Sequence, residues 1–142
     1  MLVDANILLY AVDADSRHHE RAAAWLSERL SGPGRIALPW EALAAFLRIA
    51  THPRASRAPM SADAAWSVVA AWLDRDVVWC PGRGPRHGHI VERLVRRHAP
   101  TGNLVPDMLL VALALEHGLA IASADGDFAR FDEILWINPL AA

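Results

Sequence analysis

The chain contains no lysine: all 14 of its basic side chains are arginines, which excludes any mechanism that needs a lysine amine. It has one cysteine, Cys80, so neither an intramolecular disulfide nor a cysteine-based zinc site can form, as expected of a protein in a reducing compartment. Charge imbalance is also slight. A formal net charge of -2 argues against a generally basic nucleic-acid coat protein but leaves room for a local basic groove. No uncharged apolar run approaches the ~20 residues that span a bilayer. The first residues also lack a basic leader followed by a long apolar core. These absences predict a cytoplasmic protein without a membrane partner.

What is present is ordinary for a globular chain: 54% hydrophobic and 21% charged residues, with a length of 142 that predicts a single domain over 1–142. The organising stretch is Met1-Leu-Val-Asp-Ala-Asn-Ile-Leu-Leu-Tyr-Ala11, in which the carboxylate of Asp4 sits inside an apolar run. Burying an ionised carboxylate costs several kcal/mol unless something pairs with it. Met1 to Asp4 reads as a short core strand with Asp4 at its carboxyl end, and Asn6 begins the helix or turn that follows. Asp4 and Asn6 are equally suited to plain Asx-type capping at that junction.

Downstream, Ser16 to Leu30 has Ala22, Ala23, Leu26 and Leu30 on one face and predicts a helix ended by Ser31-Gly32-Pro33-Gly34. Arg35 to Pro39 is a second strand, and Trp40 to Ile49 a helix with Glu41 in its first turn. Ser61 caps a helix to Leu73 that carries Trp66, Val69 and Leu73 at helical spacing. Val77 to Trp79 is a third strand, Arg86 to His98 an amphipathic helix, and Pro100 to Pro106 a loop. Asp107 to His117 is so apolar that it predicts a helix sandwiched in the core, with Gly118 as terminator. Leu119 to Ser123 is a fourth strand, Asp125-Gly126-Asp127 a turn, Phe128 to Phe131 a helical turn, and Ile134 to Ile137 a last strand.

Strands separated by helices predict an α/β fold whose parallel sheet is covered on both faces. Crossover helices run antiparallel to such strands, so helix N-termini and strand C-termini share one edge, where ligands of open sheets bind. Asp4, Glu41, Asp107 and Asp125 all fall at that edge. Taken singly, each has a plainer role as a cap, first-turn acid or turn residue. Asp127, Asp132 and Glu133 fall nearby and read as solvated. Four converging carboxylates repel one another unless a cation relieves them. Oxygen-only ligation suits Mg2+ or Mn2+ rather than zinc, and phosphodiester hydrolysis is the natural chemistry of such a site. Neither His18-His19 nor His87-Gly-His89 has a third ligand at zinc-binding spacing.

Taken together, Leu2 to Ala11, Trp40-Glu41, Gly102-Asn-Leu-Val-Pro-Asp107 with Leu110-Val-Ala-Leu-Ala114, Ser123 to Phe131 and Trp136-Ile-Asn-Pro-Leu140 resemble the PIN-domain ribonucleases. Within these they resemble the VapC toxins of bacterial toxin–antitoxin pairs. The resemblance runs from Met1 to Leu140. It implies a PIN-like three-layer α/β/α fold with a central parallel sheet, Mg2+- or Mn2+-dependent endoribonuclease activity on RNA, a homodimer, and inhibition by a VapB-type antitoxin. Asp4 and Asp107 match the family's principal metal ligands and Asp125 its fourth acid. Glu41 matches the acid that binds metal directly or through water. Asn6 and Ser123 match polar residues that support the first acid.

Other readings are a catalytically silent PIN module that binds RNA or a partner, a Mg2+-dependent receiver-like domain, and a haloacid-dehalogenase-like phosphohydrolase with Asp4 as nucleophile. The last two families generally use a lysine, which this chain lacks, and the phosphohydrolase would want an acid where Asn6 stands. Arg83, Arg86, Arg93, Arg96 and Arg97 form the densest basic stretch and are candidate phosphate contacts, with a solvated helix face the plainer role. The six tryptophans fall mostly at core spacing, and one or two are candidate anchors at an interface.

Overall fold

A computed structural model describes residues 1–141. In chain order its elements are β1 (Leu2–Val3), α1 (Ala5–Val12), α2 (His19–Ser31), β2 (Ile36–Ala37), α3 (Trp40–Ala50) and α4 (Ala62–Leu73). These are followed by β3 (Val78–Trp79), α5 (His87–His98), α6 (Leu104–His117), β4 (Ile121–Ala122), a 3-10 turn (Gly126–Arg130) and β5 (Trp136–Ile137). The strands are shorter than the apolar runs suggest, but their order and direction follow the expected pattern. All five pair in parallel in the order β3-β2-β1-β4-β5.

Successive strand residues point to opposite faces, which divides the core into two. Val3, Ile36 and Leu38 meet Ile7, Leu8, Leu43 and Phe46 of α1 and α3 and Val69 of α4. Leu2, Ala37 and Ile121 meet Leu94 of α5, Met108 to Ala114 of α6, and Phe128. The result is three layers, helix on sheet on helix. Phe46 and Leu113 are wholly buried, and each such side chain contributes roughly 1.5–3 kcal/mol of transfer energy.

Several boundaries differ from the sequence pattern for local reasons. Helix α2 begins at His19 because Ser16 Oγ accepts from His18 N and holds the preceding residues in a turn. Helix α6 begins at Leu104, three residues early, with Pro106 inside its first turn. Proline is accommodated there because first-turn N–H groups have no intrahelical partner. It ends at Gly118, whose φ of 66° lies in the left-handed region that a residue without Cβ enters freely. On α4 the buried stripe is Ala65, Val69 and Trp72, so Trp66 faces outward instead of inward. The pairing of Trp72 with Phe46, rings 5.0 Å apart and edge-on, sets that phase.

Candidate active site

The chain leaves β1 toward β2 on one side, while β4 pairs on the other, so the crevice above β1 and β4 is the switch point of the sheet, where open α/β folds bind ligands. Because Leu2 and Val3 pair with Ile121 and Ala122, Asp4 and Ser123 leave the sheet side by side. Ser123 is the one buried polar side chain among the described residues, at 0% exposure. Its hydroxyl donates to Asp4 Oδ2 at 2.8 Å and accepts from Asn6 Nδ2 at 3.1 Å and Asp125 N at 3.0 Å. Asn6 Oδ1 accepts in turn from Ala124 N at 3.2 Å, and the Trp136 indole donates to the Ser123 carbonyl at 2.9 Å. Asp4 also caps α1, its Oδ1 accepting from Ala5 N at 2.7 Å. Capping and site roles therefore coexist in one side chain. Burial pushes the Asp4 pKa up, and the Ser123 and Ala5 bonds pull against it.

Removing the Ser123 hydroxyl strands three partners at once. Leaving buried groups unsatisfied costs about 1–3 kcal/mol each, and loss of a group that orients a metal ligand typically costs ~10–100-fold in activity or metal affinity. Ser123→Ala therefore lowers divalent-metal affinity by about that factor, while Ser123→Thr retains most of it; Mg2+ or Mn2+ titration of the two variants checks this.

Asp107, Asp125 and Asp127 each offer a carboxylate oxygen within 4.8 Å of the other two. Asp107 stands in the first turn of α6, and Asp125 caps the 3-10 turn by accepting from Asp127 N at 2.9 Å. The Asp107 pKa is raised to about 6, first by burial and then by the charges of Asp125, Asp4 and Asp127. The ion pair at this group is Arg130 with Asp127, at 3.9 Å too long for a hydrogen bond. Crowded carboxylates, a raised pKa and all-oxygen donors fit a hard divalent cation. Asp107, Asp125, Asp127 and Asp4 are the residues that would hold it.

Asp127 was expected to be solvated; it is half exposed yet belongs to this group. The Asp-Gly-Asp spacing is the signal, because the turn at Gly126 folds the second acid back toward the first. Glu41, in the first turn of α3, is not among the carboxylates gathered around Asp107; its Oε2 lies 3.7 Å from Arg83. Of the basic stretch, Arg96 is paired with Glu92 at 3.0 Å and Arg97 with Asp132 at 2.9 Å and Glu133 at 3.2 Å. His98 Nε2 also lies 2.9 Å from Glu133 Oε2. The Arg97 and His98 contacts latch the end of α5 to the segment after the 3-10 turn.

The sequence profile of the PIN domain matches residues 1–134. Ribonuclease VapC37 of Mycobacterium tuberculosis (strain ATCC 25618 / H37Rv) is 40% identical over 140 residues, which cover 99% of this chain and 97% of that protein. Ribonuclease VapC31 of the same strain is 33% identical over 138 residues, covering 97% of each. The fold is shared with VapBC2 from Rickettsia felis, solved bound to a DNA fragment from its promoter, at a TM-score of 0.66, 17% identity and 96% coverage of each chain. It is also shared with M. tuberculosis VapC20, a sarcin-ricin loop cleaving toxin, at a TM-score of 0.64, 21% identity and coverage of 90% and 92%. With a profile spanning nearly the whole chain and full-length relatives at this level of identity, the chain belongs to the PIN-domain family, among the VapC ribonucleases.

Proposed function

We propose that this chain is the toxin of a VapB–VapC-type pair, a cytoplasmic single-domain endoribonuclease that hydrolyses RNA with Mg2+ or Mn2+. The observation that carries the metal requirement is the Asp107, Asp125 and Asp127 group within 4.8 Å beside Asp4, at the switch point of the sheet. When bound, a divalent ion supplies Lewis-acid activation of water and neutralises charge on the phosphate. The chain's own residues do the rest. Ser123 and Asn6 hold Asp4 in one orientation, and the Asp125–Asp127 turn presents two carboxylates beside Asp107. Glu41 orients or deprotonates the attacking water, whose oxygen bonds to phosphorus while the ester oxygen leaves and takes a proton from solvent. Names among relatives and fold neighbours support an RNA substrate and a VapB-type antitoxin as partner; the homodimer rests on the family resemblance alone.

The reading predicts that purified protein cuts total RNA into discrete fragments when Mg2+ or Mn2+ is present. EDTA abolishes the fragments, and the fragment ends locate the target. A pattern unchanged by EDTA would remove the metal-dependent mechanism.

A further inference from the structure

Two large aromatic side chains are left half in water beside this crevice. Trp40 is 49% exposed and Trp66 47%, and their rings lie 6.4 Å apart with planes only 8° from parallel. Core packing explains neither, because the buried stripes of α3 and α4 run through Leu43, Phe46, Val69 and Trp72 instead. A paired, exposed aromatic surface is the informative kind of apolar exposure.

Its place is set by the sheet. Leu2 pairs with Ala37, so Pro39 stands beside Asp4 across one strand spacing, roughly 4.8 Å. Trp40 is the next residue and Glu41 the one after it. The Arg83 guanidinium, 60% exposed and 3.7 Å from Glu41, adds a cation to the same rim. Aromatic surface, phosphate-sized positive charge and catalytic acids thus follow one another along a single edge.

We infer that Trp40 and Trp66 form a stacking platform for an unpaired RNA base next to the scissile phosphate, with Arg83 meeting the backbone. This rests on the ribonuclease reading above and adds the residues that receive the unpaired base beside the cut. A duplex hides its base faces, whereas an unstacked base offers a π-face that an indole takes regardless of base identity. The near-parallel planes let a base on one ring continue the same stack. A second copy of this chain would also cover the pair, but the continuity with Glu41 and Arg83 favours nucleic acid.

The test uses an unstructured oligoribonucleotide carrying a fluorescent adenine analogue that stacking quenches, and the same strand annealed to its complement. Binding is measured to Asp4→Asn protein, which leaves the RNA intact, and cleavage kinetics in the wild-type background. Trp40→Ala or Trp66→Ala weakens single-strand binding by about five- to a hundredfold, raises KM and removes the quench, while duplex binding is unchanged. Trp40→Phe and Trp66→Phe retain a ring and most of the affinity, which separates stacking from misfolding. Alanine variants that bind and cut like wild type overturn the platform and leave the ribonuclease reading standing. Absence of cleavage by the wild type on any RNA fails that reading itself and the platform with it. Dissociation into monomers in sedimentation velocity, with affinity per chain intact, assigns the pair to a second copy instead.

Discussion

Asp107→Asn protein fails to cut RNA and yet, free of metal near neutral pH, melts at a higher temperature than wild type. Both effects have one cause. In the folded chain the Asp107 pKa is raised from 3.8 to about 6, because burial and the charges of Asp125, Asp4 and Asp127 disfavour ionisation. The folded state therefore holds this proton more tightly than the unfolded chain does. That contribution to stability is fully present below about pH 4, is lost as pH rises through about 6, and is absent above. A shift of about two units corresponds to roughly 3 kcal/mol, and since the carboxyl is half exposed, solvent screening reduces this to about 1–2 kcal/mol.

Asparagine abolishes the repulsion along with the function. The metal-free variant should then melt a few degrees higher at neutral pH, and the difference should close near pH 4. A divalent ion at a hundred times its dissociation constant stabilises the wild type by about 2.7 kcal/mol, and the variant gains far less. Cleavage in the variant falls by more than the ~10–100-fold that loss of an outer supporting group costs. Thermal melts at the two pH values, with and without Mg2+, check the whole set. A variant that still cleaves, or that melts lower without metal, would show that Asp107 is neither ligand nor strained.

The largest loss of stability is expected from Phe128→Ala, at about 3–5 kcal/mol. Phe128 is wholly buried in the cluster with Met108, Leu110 and Phe131, and its backbone N–H closes the 3-10 turn onto the Asp125 carbonyl at 3.4 Å. It is the anchor that ties Asp125 and Asp127 to α6, and so to Asp107. Urea titration should show a lower midpoint with little change in slope. Under conditions where the variant is still folded, its cleavage and Mg2+ response should also be weakened. Full activity in a destabilised variant would separate the anchor from the site.

The sequence exposed those parts of the fold that local pattern controls. Asp4 in an apolar run marked the end of β1, and the unbroken apolar stretch from Met108 to Ala114 marked the buried α6. What it concealed depends on contacts between distant segments. Arg97 looks like a free cation until the fold brings Asp132 and Glu133 to it. Trp66 is apolar at helical spacing, and only the packing of Trp72 on Phe46 decides that it turns outward. Asp127 lies two residues from a recognised acid, but whether such a neighbour points inward depends on the turn's backbone. Glu41 shows the converse: topology puts it on the right edge, while its side chain lies 3.7 Å from Arg83 and is not one of the three gathered carboxylates.

The brevity of the strands has a consequence for how this chain tolerates change. Two-residue strands leave almost no slack between hydrogen-bonded backbone and working side chain, so the sheet acts as a ruler whose graduations are the spacing between strands, about 4.8 Å. Anything that lengthens the far edge, such as the turn at Gly34, where an added Cβ meets nothing within 4 Å, moves no graduation. One extra residue between Val3 and Asp4 would move the acid off its mark. In this molecule the freedom to elaborate and the duty to hold still are separated to opposite ends of the same few backbone bonds.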